Sequence, residues 1–159
     1  MNSSAVALRE VVQNAVESHR DRIGALLPVL HAIQDMFGYI PREAIPLLAG
    51  AMNLSRAEIH GVMSFYHDFR SEPPGKYIVH LCRAEACQAM GASGLEQHAR
   101  ELLGIDYGET TMDGQFTLEP VFCLGNCACS PSIRINDEIH ARVSLERFDE
   151  LISGLEAEE

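Results

Sequence analysis

Ser71-Glu-Pro-Pro-Gly-Lys-Tyr-Ile-Val-His-Leu-Cys-Arg-Ala-Glu-Ala-Cys87 changes the character of the chain within a few residues. Consecutive prolines followed by glycine cannot continue a helix, because proline lacks the amide proton and crowds the preceding turn. Tyr77-Ile-Val-His-Leu81 directly follows, an aromatic and β-branched run that reads as a short strand. Cys82 closes that run, and Cys87 follows on what reads as a loop. All five cysteines lie beyond residue 80, and the first seventy residues contain none. The break therefore predicts a helical region over 1–72 and a mixed α/β region over 76–155.

Upstream of the break the apolar residues keep helical period. Leu8, Val11, Val12, Ala15 and Val16 form one stripe at i, i+3, i+4, i+7 and i+8. A second helix is expected from about Ala25 to Phe37, with Pro28 in its first turn and Gly38 as its stop. Pro41 opens a third, shorter one towards Met52, interrupted in pattern by Pro46. Ser55-Arg-Ala-Glu58 is a capping box that starts a fourth at Arg56, running to Phe65.

Downstream the period changes. Gly94–Leu103 reads as helix, Asp113-Gly114 as a turn, and Phe116–Phe122 as a strand. Ser132–Ile135 and Ile139–Val143 flank Asn136-Asp137-Glu138 as a hairpin. Leu145–Leu155 makes a last helix with Phe148, Leu151, Ile152 and Leu155 on one face, before the acidic tail Glu156–Glu159. The order β-α-β-β-β-α is that of an α/β sandwich with a mixed sheet.

The cysteines are spaced C-x4-C, then 35 intervening residues, then C-x3-C. Each pair follows a strand, which puts both on loops at one edge of a sheet. Four thiolates, two per iron, suit a [2Fe–2S] cluster, because soft sulfur ligands match iron. Cys82 and Cys87 are expected on one iron, and Cys123 and Cys127 on the other. Gly125, between the second two, can take φ > 0 and bring backbone close to sulfur. Structural zinc is the competing reading, although zinc ribbons favour two C-x2-C knuckles. Cys129 is left over: it could replace Cys127 as a ligand, giving C-x5-C, but reads first as a small buried apolar residue beside the site. The histidines show no ligand spacing, and His80-x-Cys82 has no matching second pair of the kind a Rieske centre needs. Gly91-Ala-Ser-Gly94 reads as a helix start. The chain has no G-x-G-x-x-G after a strand, no P-loop and no G-x-S-x-G, hence no nicotinamide, flavin or ATP signature of its own.

Composition narrows the setting. Lys plus Arg is 12 against 23 Asp plus Glu, a net charge of −11, which repels nucleic acid and anionic membrane alike. No stretch approaches the ~18 apolar residues of a membrane span. Met1–Glu10 does not read as a secretory signal, so the expected location is cytoplasmic, where spaced cysteines more often bind metal than form disulfides.

Cys82-x4-Cys87 followed by Cys123-Leu-Gly-x-Cys127 resembles the thioredoxin-like [2Fe–2S] subunit family, that of the 24-kDa (E) subunit of respiratory complex I. Relatives of that subunit occur in NAD-linked hydrogenases and formate dehydrogenases. Gly38-Tyr-Ile-Pro41, Glu58-Ile-His-Gly-Val62, Ser64-Phe-Tyr66 and Asp113-Gly-Gln-Phe-Thr-Leu118 extend the likeness over nearly the whole chain. Cys82-Arg-Ala-Glu-Ala-Cys-Gln88 and Cys123-Leu-Gly-Asn-Cys-Ala-Cys129 look like the gamma-type subunit of soluble NAD-dependent, molybdenum-containing formate dehydrogenases. The extra Cys129 departs from the commoner complex I pattern. The resemblance implies a thioredoxin-like domain following the helical bundle and a non-catalytic, electron-transfer role; a free-standing soluble ferredoxin is the alternative, against which the helical extension speaks. It implies a partner subunit carrying FMN, NAD and a [4Fe–4S] cluster. It also implies a catalytic subunit with further Fe–S clusters and molybdopterin, where formate is oxidised. In that setting the [2Fe–2S] cluster stores one electron beside the flavin.

Overall fold

The computed structural model describes residues 3–157; Met1, Asn2 and, from the acidic tail, Glu158 and Glu159 lie outside the described residues. Among the described residues there are seven α-helices and a four-stranded sheet. They divide into two compact units, Met1–Pro73 and Pro74–Glu159.

The first unit holds α1 (Ser3–Ser18), α2 (Leu26–Phe37), α3 (Ala44–Met52) and α4 (Arg56–Phe65). Leu8, Val12 and Ala15 of α1 are buried against α2 and α3, joined in one core by Leu30, Ile33 and Leu48. α2 stops where expected: Gly38 has φ 78°, and its N–H donates to the Gln34 carbonyl. Pro46 is accommodated because α3 begins at Ala44, which puts the proline in the first turn, where no intrahelical donor is missed. α4 starts on its capping box. Glu58 N–H donates to Ser55 Oγ at 3.1 Å, and Ser55 N–H to Glu58 Oε2 at 2.8 Å. The Ser55 amide, and after it the Ser55 hydroxyl, donate to the Glu58 carboxyl and hold it below its usual range. Beyond α4 the chain is tied back by Gln34, whose Nε2 donates to Asp68 O at 2.7 Å and whose Oε1 accepts from Arg70 N–H at 2.8 Å.

The second unit holds β1 (Tyr77–Cys82), α5 (Glu85–Ala89), α6 (Ala92–Leu103), β2 (Phe116–Val121), β3 (Ile133–Ile135), β4 (Glu138–His140) and α7 (Leu145–Glu156). The sheet order is β2-β1-β3-β4, with β1 and β2 parallel and the other pairs antiparallel. Alternation assigns its faces. Val79, Leu81, Phe116, Leu118, Ile133 and Ile135 enter the core together with Leu95 and Ala99 of α6 and Phe148 and Ile152 of α7. On the opposite side Glu119, His80 and Arg134 stand in register across three strands. The hairpin is shorter than the sequence suggests. Arg142, at φ 50°, leaves it, and Val143 turns into the core.

The entry to β1 depends on Gly75. A Cβ there would meet Gln115 and Phe116 backbone at 2.9 Å, so glycine alone allows the two segments to run together. Its N–H donates to Thr117 Oγ1 at 2.6 Å.

Candidate metal centre

Parallel pairing brings the two cysteine pairs to one place. Cys82 is the last residue of β1 and faces Val121, the last of β2, so both strands deliver the chain to the same end of the sheet. β1 is an interior strand, so that meeting point is the end of a parallel pair rather than the sheet's lateral edge. Cys87 does not lie on a loop. It sits in α5, where Glu85-Ala-Cys-Gln-Ala89 is rich in good helix formers. Cys123 lies just past β2, and Cys127 opens a 3₁₀ turn to Cys129. Gly125 between them has φ 75° and donates its N–H to Cys123 Sγ at 3.3 Å.

The thiols form two unlike pairs. Cys82 and Cys87 are buried, packed with Ala92 and against Ala84, Val121 and Leu124. Cys123 and Cys127 are exposed, with their sulfurs 3.7 Å apart. Two sulfurs each roughly 2.3 Å from one tetrahedral metal stand about 3.7–3.8 Å apart, so this pair is already spaced to chelate. No group of three or more His, Cys, Asp and Glu side chains among the described residues converges on a single ion. The arrangement is two and two, the number of thiolates each iron of a [2Fe–2S] cluster takes.

Hydrogen bonds to sulfur interlock the loops. Cys82 accepts from the amides of Ala84, on its own segment, and of Leu124, on the other; burial outweighs both and pushes its thiol up, with Cys87 adding to the rise. Burial also acts upward on Cys87. There the Ser130 hydroxyl, the Ser132 amide and the Cys82 thiol prevail and hold it below the ordinary value. As a thiol, Cys87 donates to Ser130 Oγ at 3.4 Å, and Ser130 donates to the Cys127 carbonyl at 2.8 Å. As a thiolate it accepts a hydrogen bond from the Ser130 hydroxyl instead. Cys127 is pushed up by its hydrogen bond with Cys123 and by that neighbour's charge, then by burial and by the charges of Cys87 and Cys82. The four sulfurs are therefore one electrostatic unit, in which thiolates repel one another until a cation offsets them. Four soft donors, amides aimed at sulfur and one chelating pair fit an iron–sulfur group.

Cys129 is half-buried rather than fully buried. Its carbonyl accepts from Arg142 N–H at 2.8 Å and from Ser132 Oγ at 3.1 Å, which anchors the turn through its backbone. The small polar residues Ser130 and Ser132 escaped the sequence reading, although their place just beyond Cys127-Ala-Cys129 is a signal. Arg83 also escaped it. Its N–H donates to Val121 O at 2.7 Å, and its side chain pairs with Glu96 of α6 at 2.9 Å over the Tyr107 ring. Burial, and after it the Glu96 charge, raises the Tyr107 hydroxyl above its ordinary value.

A family profile described as thioredoxin-like [2Fe–2S] ferredoxin matches residues 12–156. The NADP-reducing hydrogenase subunit HndA of Solidesulfovibrio fructosivorans is 38% identical over 136 residues, covering 86% of this chain and 79% of that protein. The E 2 subunit of the Rhizobium meliloti (strain 1021) NADH-quinone oxidoreductase is 32% identical, covering 97% and 92% respectively. The E subunit of the Escherichia coli (strain K12) NADH-quinone oxidoreductase is 30% identical over 93% and 89%. Among solved structures, an NAD+-reducing [NiFe]-hydrogenase in the air-oxidised state superimposes with a TM-score of 0.70 at 28% identity. That likeness covers 84% of this chain but only 23% of the hydrogenase chain.

Proposed function

We propose, because the chain belongs to the thioredoxin-like [2Fe–2S] ferredoxin family, that it is the electron-transfer subunit of an NAD-linked oxidoreductase complex. The family's cofactor is a [2Fe–2S] cluster, which when bound supplies a store for one electron. Cys82 and Cys87 would hold one iron, and Cys123 and Cys127 the other. The observation that carries this assignment is the delivery of both thiol pairs to one end of the parallel strands, with amides of each loop aimed at sulfur. The amides of Ala84, Leu124, Ser132 and Gly125 place positive dipole ends against sulfur and favour negative charge there. Burial of Cys82 and Cys87 keeps water from one side, while Cys123 and Cys127 leave the other open to a partner.

Within this class we favour NAD-dependent formate dehydrogenase, which converts formate and NAD+ to CO2 and NADH. Cys82-Arg-Ala-Glu-Ala-Cys-Gln88 and Cys127-Ala-Cys129 support it. The chain is not catalytic by itself. It works beside a subunit with FMN, NAD and a [4Fe–4S] cluster, and a molybdopterin- and Fe–S-bearing subunit oxidises formate. The helical unit serves as the docking element. No helix among the described residues is long and apolar enough to cross a membrane. The names of the relatives favour a second reading: the equivalent subunit of an NADH:quinone oxidoreductase or of an NAD-reducing hydrogenase.

Iron and sulfide analysis of the chain, with an EPR spectrum after dithionite reduction, tests the cluster. Two irons, two sulfides and a one-electron signal per chain are expected, and zinc in their place overturns the assignment. Purification of the complex then separates the readings. Molybdenum with formate-dependent NAD+ reduction supports formate dehydrogenase. Quinone- or hydrogen-linked activity without molybdenum replaces it with the second reading.

A further inference from the structure

A groove of about 690 Å³ runs along α4 and the segment after it. Its floor is apolar, formed by Ile40, Ile45 and Phe69, with Pro46 and Met63 beside them. Its walls carry Arg42, Arg56, His60 and His67, and no carboxylate is among its lining residues. Glu72 pairs with Arg42 at 3.1 Å, but both side chains are more than two-thirds exposed, and such pairs yield readily. A basic concavity on a chain of net charge −11 runs against the average field and sets the sign of what it attracts.

α4 is built to be touched. Of its ten residues only Ile59 is buried. Arg56, His60, Ser64 and Phe65 are exposed, and Phe65 meets Tyr66 edge to face at 5.0 Å at the helix end. Phe65, 72% exposed, lies on the other face of α4, beside Leu26 and Val62, and is not part of the groove.

We infer that α4 and this groove dock an acidic segment of the flavin-bearing subunit. An apolar side chain of that segment seats on the groove floor, and flanking carboxylates face Arg56, His60 and His67. The apolar floor favours a peptide over a free anion, which would gain only from the walls. The inference rests on reading the chain as a subunit that docks through its helical unit.

The test is co-purification of the whole complex with the full-length chain. Arg56→Glu with His60→Glu should lower recovery of the flavin-bearing subunit at least about tenfold, since like charges placed opposite one another are strongly unfavourable. Arg20→Glu with Arg22→Glu, a charge change at least as large at exposed positions outside the groove, should leave recovery unchanged. The cluster EPR signal and the thermal melt establish that each variant is folded. If the reversed variant does not fold, Arg56→Gln with His60→Gln should still weaken association at least about threefold. Wild-type recovery in a folded groove variant overturns the inference. So does a dimer of the isolated chain, seen by sedimentation, that dissociates in that variant, because the groove would then belong to a second copy. A wild-type chain that recovers no flavin-bearing subunit defeats the subunit reading itself, and the inference with it.

Discussion

The helical and sheet units obtain their structure at different ranges along the chain. In residues 1–73 each helix is set by neighbours three and four residues away, by the Ser55–Glu58 box and by Gly38. In residues 74–159 the pairing partners are distant: Tyr77 faces Phe116, and Cys82 faces Val121. The charges differ as well. The first stretch holds 6 Lys and Arg against 8 Asp and Glu, the second 6 against 15. Locally specified elements tolerate local damage in graded steps. A site assembled from several segments fails as a unit, because each sulfur is positioned partly by another segment.

The largest effect should come from the cysteines. Cys87→Ser or Cys127→Ser should abolish or badly perturb the cluster, read by visible absorbance and EPR after reconstitution, while Cys129→Ser should leave the spectrum nearly intact. A normal spectrum in Cys127→Ser with loss in Cys129→Ser would transfer the fourth ligand to Cys129.

Two glycines of the sheet unit come next, for different reasons. Gly125→Val should cost roughly 1–3 kcal/mol from backbone strain alone, since nothing lies within 4 Å of an added Cβ. Cluster occupancy should fall with it. Gly75→Ala should cost roughly the same through collision with Gln115 and Phe116 backbone. Denaturant melts with unchanged midpoints would show that the segments yield freely.

In the helical unit, Ser55→Ala should cost only about 1 kcal/mol, the usual loss of an N-cap, with the cluster spectrum unaltered. Loss of the cluster in that variant would erase the contrast between the units.

The smallest effect concerns the cluster-free protein at alkaline pH. Cys82 and Cys127 titrate above the ordinary cysteine value. The unfolded chain therefore releases those protons first, and their contribution to stability fades as pH rises through the raised values. Cys87 titrates below it and acts oppositely, its contribution fading as pH falls. Cys82→Ser should therefore lessen the loss of melting temperature as pH rises above about 8.5. An unchanged profile in that variant would remove Cys82 from the balance.

Much of the fold was legible from the residues. The limits of α2 and α4, the strand after the prolines and the last helix all follow from periodicity, caps and turn residues. So did the left-handed turn at Gly125. These signals act within about four residues, so the chain alone carries them. α5 was missed because five residues are too few to show a period. The sulfur-directed amide of Leu124, the hydroxyl of Ser130 and the pairing of Arg83 with Glu96 were missed for another reason. Their partners lie on segments remote in sequence, and which segments meet depends on the register of β1 against β2. That register follows from burying Val79, Leu81, Phe116 and Leu118 on one face, a condition that no single stretch can state. The spacing of the cysteines names the chemistry. Only the closed sheet makes one pair buried and the other exposed, because burial belongs to the packed molecule rather than to the residue.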